Sequence, residues 1–166
     1  MRKRVYLIYG LYIAVISALL AMNVFADTKK LSHPEIYFVD SDMFRLVSVD
    51  FECDADSKQK QAEAVISELI LGRDRNKKIK RMIPNIIDCL SVKVKDDTAY
   101  VDIKEESIDD FADGRVCEAL TVYQIVNSLT SIDGVIKVKF TIGGKVQKEF
   151  KGFIDMRETF IPDYYV

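Results

Sequence analysis

Apolar residues recur along the chain with two different periods, and these periods predict its helices and strands. Between residues 57 and 71 the apolar positions repeat every three or four residues, as they do on one face of a helix. Residues 116–129 carry two such stripes, which predicts a second helix that is covered on most sides. Gly72 and Gly134 suit the ends of these helices, because glycine adopts the left-handed conformation without steric cost.

Alternation of apolar and polar residues, complete or partial, predicts the strands, because successive side chains of a strand point to opposite faces. The predicted strands are residues 36–39, 44–51, 90–95, 99–103 and 135–142. Asp96 and Asp97 between the third and fourth of them predict a hairpin turn. Residues 145–156 predict one or two closing strands.

The order of elements from residue 57 to residue 142 is helix, strand, strand, helix, strand. It predicts an α+β fold, with a small mixed sheet, two helices packed on one face, and flanking strands that extend the sheet. We expect Leu69 and Leu120 to be buried where the helices cover the sheet. Asn127 lies among apolar residues of the second helix, so we expect its amide to bond to a neighbouring loop or strand end.

Several of these segments carry a resemblance to a known family. The second helix reads EALTVYQIVNSLT over residues 118–130, and the strand after it ends at Gly143 and Gly144. The other matching segments are residues 83–84, 90–94, 99–102 and 152–155. In this order they resemble the GerMN domain of sporulation and spore-germination proteins, over residues 36–160. The layout is also similar to the ring-building motif of envelope secretion systems.

The resemblance implies an extracytoplasmic domain that works by binding in sporulation or germination. It implies a structural part in an envelope complex. From the residues themselves we expect no enzymatic activity and no cofactor. The implied partners are envelope or sporulation-complex proteins, and a second copy of this chain is one candidate. A peptidoglycan-directed accessory protein or enzyme is the alternative. A chaperone-like function is a third interpretation, and it requires an exposed apolar groove.

The N-terminal head predicts the location of the chain. Arg2, Lys3 and Arg4 precede an uncharged apolar stretch over residues 5–25, which is long enough to span a membrane. We expect a single-pass membrane protein with an extracytoplasmic domain, and secretion after cleavage at Ala26 is the alternative. No cysteine occurs in the head, so the lipid anchor of the family's namesake lipoprotein is not carried over.

This divides the 166 residues into four parts. They are an anchor or signal peptide (1–26), a linker (27–35), the GerMN-like domain (36–160) and a tail (161–166).

Composition narrows the chemistry. The net charge is −2, and without the three basic residues of the head the rest of the chain has a net charge of −5. This acidic balance does not indicate a nucleic-acid partner. The cysteines Cys53, Cys89 and Cys117 have neither disulfide nor zinc spacing, and we expect them to be small buried residues. His33, the single histidine, lies beside a proline in the linker. We therefore predict no catalytic residue and no metal ligand.

Two charged runs of opposite sign flank the helices. The first, residues 73–81, is basic, and the second, residues 105–113, is acidic. The candidate interaction residues are Arg75, Lys77, Lys78, Lys80, Glu105, Glu106, Asp109 and Asp110. We expect them to orient a head-to-tail contact between domains held at the membrane. Solvated loops are the alternative interpretation of both runs.

Overall fold

A computed structural model describes residues 33–42, 45–72, 79–86 and 88–166 of the chain. The predicted membrane segment and most of the linker lie outside the described residues, as do Arg75, Lys77 and Lys78. None of the helices in the described ranges is long and apolar enough to cross a membrane.

The first elements of the described residues form a small antiparallel sheet. Strand β1 (Glu35–Asp40) pairs with β2 (Leu46–Asp50), and Ile36 lies opposite Val49. A short strand that the sequence pattern did not predict, β3 (Ile79–Lys80), pairs with the other side of β1. The strand order of this sheet is therefore β2-β1-β3.

Helix α1 (Lys58–Leu71) has the ends that its sequence predicts. The Ser57 hydroxyl accepts a hydrogen bond from the Lys60 N–H at 3.3 Å and so caps the first turn. Gly72 adopts a left-handed conformation with φ of 49°, and its N–H donates to the Glu68 carbonyl. This geometry ends the helix and satisfies one of its last carbonyl groups.

The second sheet has the order β4-β5-β6. Strands β4 (Leu90–Lys95) and β5 (Thr98–Ile103) form the predicted antiparallel hairpin. Strand β6 (Lys137–Ile142) lies parallel to β5 on its other side. Parallel neighbours require a long crossover connection, and helix α2 (Arg115–Thr130) is part of that connection.

Both helices pack on one face of the second sheet, which confirms the predicted α+β fold. The inward rows of its strands, among them Val92, Val101 and Phe140, are buried in one large hydrophobic cluster that includes Leu69 of α1. Leu120 of α2 is equally buried, but it packs with Val39 and Met82 in a second, smaller cluster. Leu120 therefore helps to join α2 to the first sheet, rather than to the layer where we expected it.

The predicted extension of the sheet by flanking strands is wrong. The strands before α1 form their own sheet, and a side chain of α1 occupies the free edge of β4. Residues 145–156 form no strand and make only isolated bridges, such as Glu149 with Asp155. A buried carboxylate of α2, described below, binds the main chain of this loop instead.

Candidate interaction surfaces

A 3-10 helix (Glu105–Asp110), which we call the acidic turn, presents four carboxylates to solvent. All four predicted acidic residues are exposed: Glu105, Glu106, Asp109 and Asp110. The opposite side of the turn is fixed to the core through Ile108 and through Phe111, whose ring meets that of Phe150 edge-on at 5.4 Å. The acidic side is therefore held outward by the burial of the apolar side.

The predicted basic run is only partly described. Lys80 is exposed on β3. The Arg81 guanidinium donates hydrogen bonds to the Leu71 carbonyl at 2.6 Å and to the Gly72 carbonyl at 3.3 Å. Arg81 thus satisfies carbonyl groups at the end of α1, where a positive charge is favourable, and this capping role gives its charge an intramolecular function.

The outer face of the second sheet is a further basic surface, which the sequence analysis did not single out. Its register places Lys93 opposite Tyr100 and Tyr100 opposite Lys139. The next row holds Lys95, Thr98 and Lys137. We call the four lysines the lysine face. The lysines of one row belong to strands about 10 Å apart, and the Tyr100 side chain between them is 44% exposed.

The charges of the lysine face differ in their pairing. Lys137 forms an ion pair with Asp97 at 3.2 Å, and hydrogen bonds from Thr98 and Lys137 lower the pKa of Asp97. Within the described ranges, no ion pair engages Lys93 or Lys139. The strict alternation of residues 90–95 and 137–142 is the signal that could have identified this face, because alternate residues share one side of a strand.

Polar side chains of α2 bind the main chain of neighbouring segments. The Asn127 amide donates to the Asp163 carbonyl at 2.7 Å and accepts from the Asp163 N–H at 3.0 Å. This confirms the bond to a neighbouring segment that we expected of Asn127. The hydroxyl of the adjacent Ser128 accepts from the Tyr37 N–H. The hydroxyl of Ser131, just after the helix, donates to the Glu35 carbonyl. These two hydroxyl groups bind β1 beyond the end of β3.

Glu118 is a buried carboxylate that the sequence analysis missed. One of its oxygens accepts hydrogen bonds from the N–H groups of Phe153 and Ile154, both at 3.1 Å. Its other oxygen has no hydrogen-bond partner in the described part of the chain. Through these two bonds, Glu118 connects α2 to the loop of residues 145–156.

An apolar groove of about 350 Å³ runs between α1 and the edge of β4. Ile66 and Ile70 form one wall and Leu90 the other, while Glu63 and Asp88 add carboxylates to the lining. The Gln59 carboxamide donates to the Val92 carbonyl and accepts from the Val94 N–H on this same edge. An exposed groove is what a chaperone-like function requires, but this one is at the small end of ligand-site volumes.

The described residues offer no arrangement that is typical of an active site. No group of three or more histidine, cysteine or acidic side chains within them could hold a metal ion. Cys53 and Cys89 are buried, and burial raises the pKa of both thiols, which disfavours the reactive thiolate. His33 is exposed in the segment before β1. The distinctive features of this α+β domain are therefore its two charged surfaces and the side chains that bind the main chain of neighbouring segments.

Comparison with known proteins identifies the family. The family model for sporulation and spore germination, called Germane, matches residues 35–148. The chain therefore belongs to the Germane family, and its GerMN domain, predicted from the sequence pattern, is confirmed. None of the curated proteins matches the chain.

Solved structures share the fold at low sequence identity. The tandem GerMN domains of the Bacillus subtilis sporulation protein GerM match with 19% identity and a TM-score of 0.60, covering 76% of this chain and 44% of that one. The first GerMN domain of that protein matches with 18% identity and a TM-score of 0.56, over 75% of this chain and 92% of that domain. A Clostridium perfringens protein assigned as a lipoprotein matches with 22% identity and a TM-score of 0.57, over 76% of this chain and 85% of that protein.

Proposed function

We propose that this chain is a non-catalytic binding and assembly domain of the cell envelope in sporulation or spore germination. Its partners are envelope or sporulation-complex proteins, and a second copy of the chain is one of them. The observation that carries the proposal is the pair of oppositely charged surfaces, the acidic turn and the lysine face. They lie on different parts of the domain, as a head-to-tail contact requires.

The proposed location is the outer side of the cytoplasmic membrane, with residues 5–25 as a single-pass anchor. The basic head and the uncharged stretch after it support this orientation. A structural relative from Clostridium perfringens is assigned as a lipoprotein, which is a different way of holding a similar domain at a membrane. Confinement to a membrane raises the effective concentration of the domains and favours weak contacts between them.

The strength of the contact follows from the exposure of its charges. Exposed ion pairs contribute only about 0–1 kcal/mol each and are screened by salt. Opposite charges therefore orient the encounter and raise its rate more than they increase its affinity. We expect the domain to be monomeric when it is free in solution and to assemble at the membrane.

A charge-reversal series tests this proposal. Three of the four acidic-turn residues, Glu106, Asp109 and Asp110, are changed together to lysine, and in-cell cross-linking and localisation are measured. We expect both to fail. A matched control reverses three exposed acidic residues elsewhere: Asp42, Asp50 and Glu52. The control should assemble like the parent.

Rescue then identifies the basic partner surface. One compensating variant reverses Lys93, Lys95 and Lys139 of the lysine face. The other reverses the predicted set Arg75, Lys77, Lys78 and Lys80. Restored assembly with either variant supports a charged contact and identifies the basic surface that the acidic turn meets. If the acidic-turn variant assembles and localises normally, the charged surfaces are only solvated and the proposed mechanism is wrong.

A further inference from the structure

Residues 157–166, which we call the strap, run across α2. They come after the region matched by the family model, which ends at residue 148. At one end, Phe160 and Val138 exchange two main-chain hydrogen bonds of 2.7 and 2.8 Å on the edge of β6. At the other end, the Val166 carbonyl accepts from the Leu46 N–H of β2 at 3.3 Å. The strap therefore bridges the two sheets over the helix between them.

The hydrogen bonds that bind the strap to the rest of the domain use its main chain. Between the two ends, the Asn127 amide binds both the N–H and the carbonyl of Asp163. Apolar contacts accompany them, because the Phe160 ring meets Phe140 edge-on at 5.4 Å and Val166 packs on the cluster around Leu120. Main-chain bonds with apolar anchors are the means by which sheet edges bind extended peptides. The surface under the strap is thus a built receptor for an extended segment.

The strap is joined to the domain by an exposed connection. Arg157 bonds to Asp155, two residues before it, and this pairing lowers the pKa of Asp155 to about 2. It is a local contact, and residues 157–159 are all exposed. Ile161 and Tyr165 are 67% and 100% exposed, so part of the strap gains little from docking. Segments with few buried contacts open at a lower free-energy cost than the core of a domain.

We propose that the strap of one copy can occupy the receptor of a second copy. An exchanged strap makes the same main-chain bonds to Val138, Asn127 and Leu46 as the strap does within its own chain, so exchange loses no contact. Such exchange of an identical element is a low-cost route to association. The strap of the receptor's own chain competes for the same surface, at an effective concentration of about the millimolar range. Exchange therefore requires the domains to be crowded. The expectation of crowding at a membrane rests on the proposed function, whereas the existence of the receptor surface does not.

A disulfide trap tests the exchange in the full chain reconstituted in vesicles. Residues opposite each other in an antiparallel pair are about 5.5 Å apart between Cα atoms, which is within disulfide range. Val138→Cys and Phe160→Cys are first combined in one chain, where an intramolecular disulfide should form. This double variant shows that the chain folds with its strap seated. If no disulfide forms there, Phe160 does not lie beside Val138 and the proposal is wrong.

The two substitutions are then placed in separate, differently tagged copies and mixed in the same vesicles. Exchange predicts an intermolecular disulfide whose yield rises about tenfold for a tenfold increase in protein density, while yields are low. A synthetic peptide of residues 157–166 should reduce it by competition. The matched control pairs Val138→Cys with Tyr165→Cys, which is fully exposed and should give little product.

Equal yields from the Phe160 and Tyr165 pairs would overturn the exchange. So would the absence of an intermolecular product from the mixed copies, if the double variant has formed its intramolecular disulfide. Neither result touches the proposed function, because the charge-reversal series measures assembly through other surfaces. Failure of that series with a positive trap would leave the exchange standing and remove the charged contact.

Discussion

The Gln59 carboxamide bonds to the edge of β4 at Val94 in the way that a residue of a neighbouring strand would. It accepts the Val94 N–H at 2.7 Å, and it donates to the Val92 carbonyl at 2.9 Å on the same edge of β4. A residue in a parallel strand would make the same pair of bonds. Unpaired strand edges invite association with other chains, so this side chain protects the second sheet at the point where a further strand would join.

Removal of this amide should weaken and open the edge of β4. We expect Gln59→Ala to lower the free energy of unfolding by about 1–3 kcal/mol, because two main-chain groups lose their partner. Chemical denaturation measures the loss, and hydrogen exchange of the Val94 amide should become faster. Ser67→Ala, at an exposed position of the same helix, should stay within about 0.5 kcal/mol of the parent. Unchanged exchange at Val94 in the Gln59 variant would contradict this account of the edge.

Two core leucines should be costly to truncate. Leu69 and Leu120 are both 0–1% exposed, although they belong to different clusters. We expect Leu69→Ala and Leu120→Ala each to lower the free energy of unfolding by about 2–5 kcal/mol, through lost burial and the cavity left behind. Denaturation midpoints measure both. The assignment of the two clusters is wrong if neither midpoint moves.

Gln124 should be replaceable by an apolar residue of similar shape. It is fully buried in α2, and neither atom of its amide has a hydrogen-bond partner among the described residues. An unpaired buried polar group costs about 1–3 kcal/mol, so we expect Gln124→Met to raise the free energy of unfolding by up to that amount.

The matched comparison for Gln124 is Asn127→Leu, at a second buried amide of the same helix. This change leaves the main-chain groups of Asp163 unpaired and should lower stability by about 1–3 kcal/mol. Thermal melts of both variants give the signs directly. A lower melting temperature for Gln124→Met would show that its amide is bound in the folded protein.

Tyr37 should make the domain sensitive to high pH. Burial raises the pKa of its phenol, and the hydrogen bond to Glu35, with the Glu35 charge, raises it further. The unfolded chain releases this proton near pH 10, whereas the folded chain retains it. The stabilising contribution is therefore complete below about pH 10 and is lost as the pH rises above that value.

Comparison of Tyr37→Phe with the parent isolates this effect. Melting temperatures between pH 8 and pH 11 should fall less steeply in the variant. Some slope should remain, because burial also raises the pKa of Tyr123. An identical slope in both proteins would show that the Tyr37 proton is not retained on folding.

The sequence predicted the parts of the fold that depend on local pattern. The period of α1, the left-handed Gly72 and the hairpin at Asp96 and Asp97 involve residues that are neighbours in the chain. The separation into two sheets could not be predicted in this way. It involves contacts between residues that are distant in the chain, such as those of Gln59 with a strand 33–35 residues away. The periodicity of a sequence does not show such contacts.

The interaction surfaces were predictable to different extents. The acidic turn could be found because its charges lie close together in the sequence, and Asn127 because an amide interrupts an apolar helix. The lysine face was harder, since its charges come from β4 and β6, which are joined only through the register with β5. The position of the strap was not predictable, because Asn127, which binds the strap residue Asp163, lies 36 residues before it in the chain.

The central claim is that the acidic turn meets a partner at the envelope during sporulation. A photo-cross-linking residue placed at Asp109 in the full chain, in sporulating cells, tests it most directly, with the exposed Glu52 position as the control. We predict adducts from position 109 alone, which mass spectrometry identifies as an envelope protein or a second copy. An Asp109 variant that is folded and membrane-bound, yet gives no more adduct than the Glu52 control, would contradict the account.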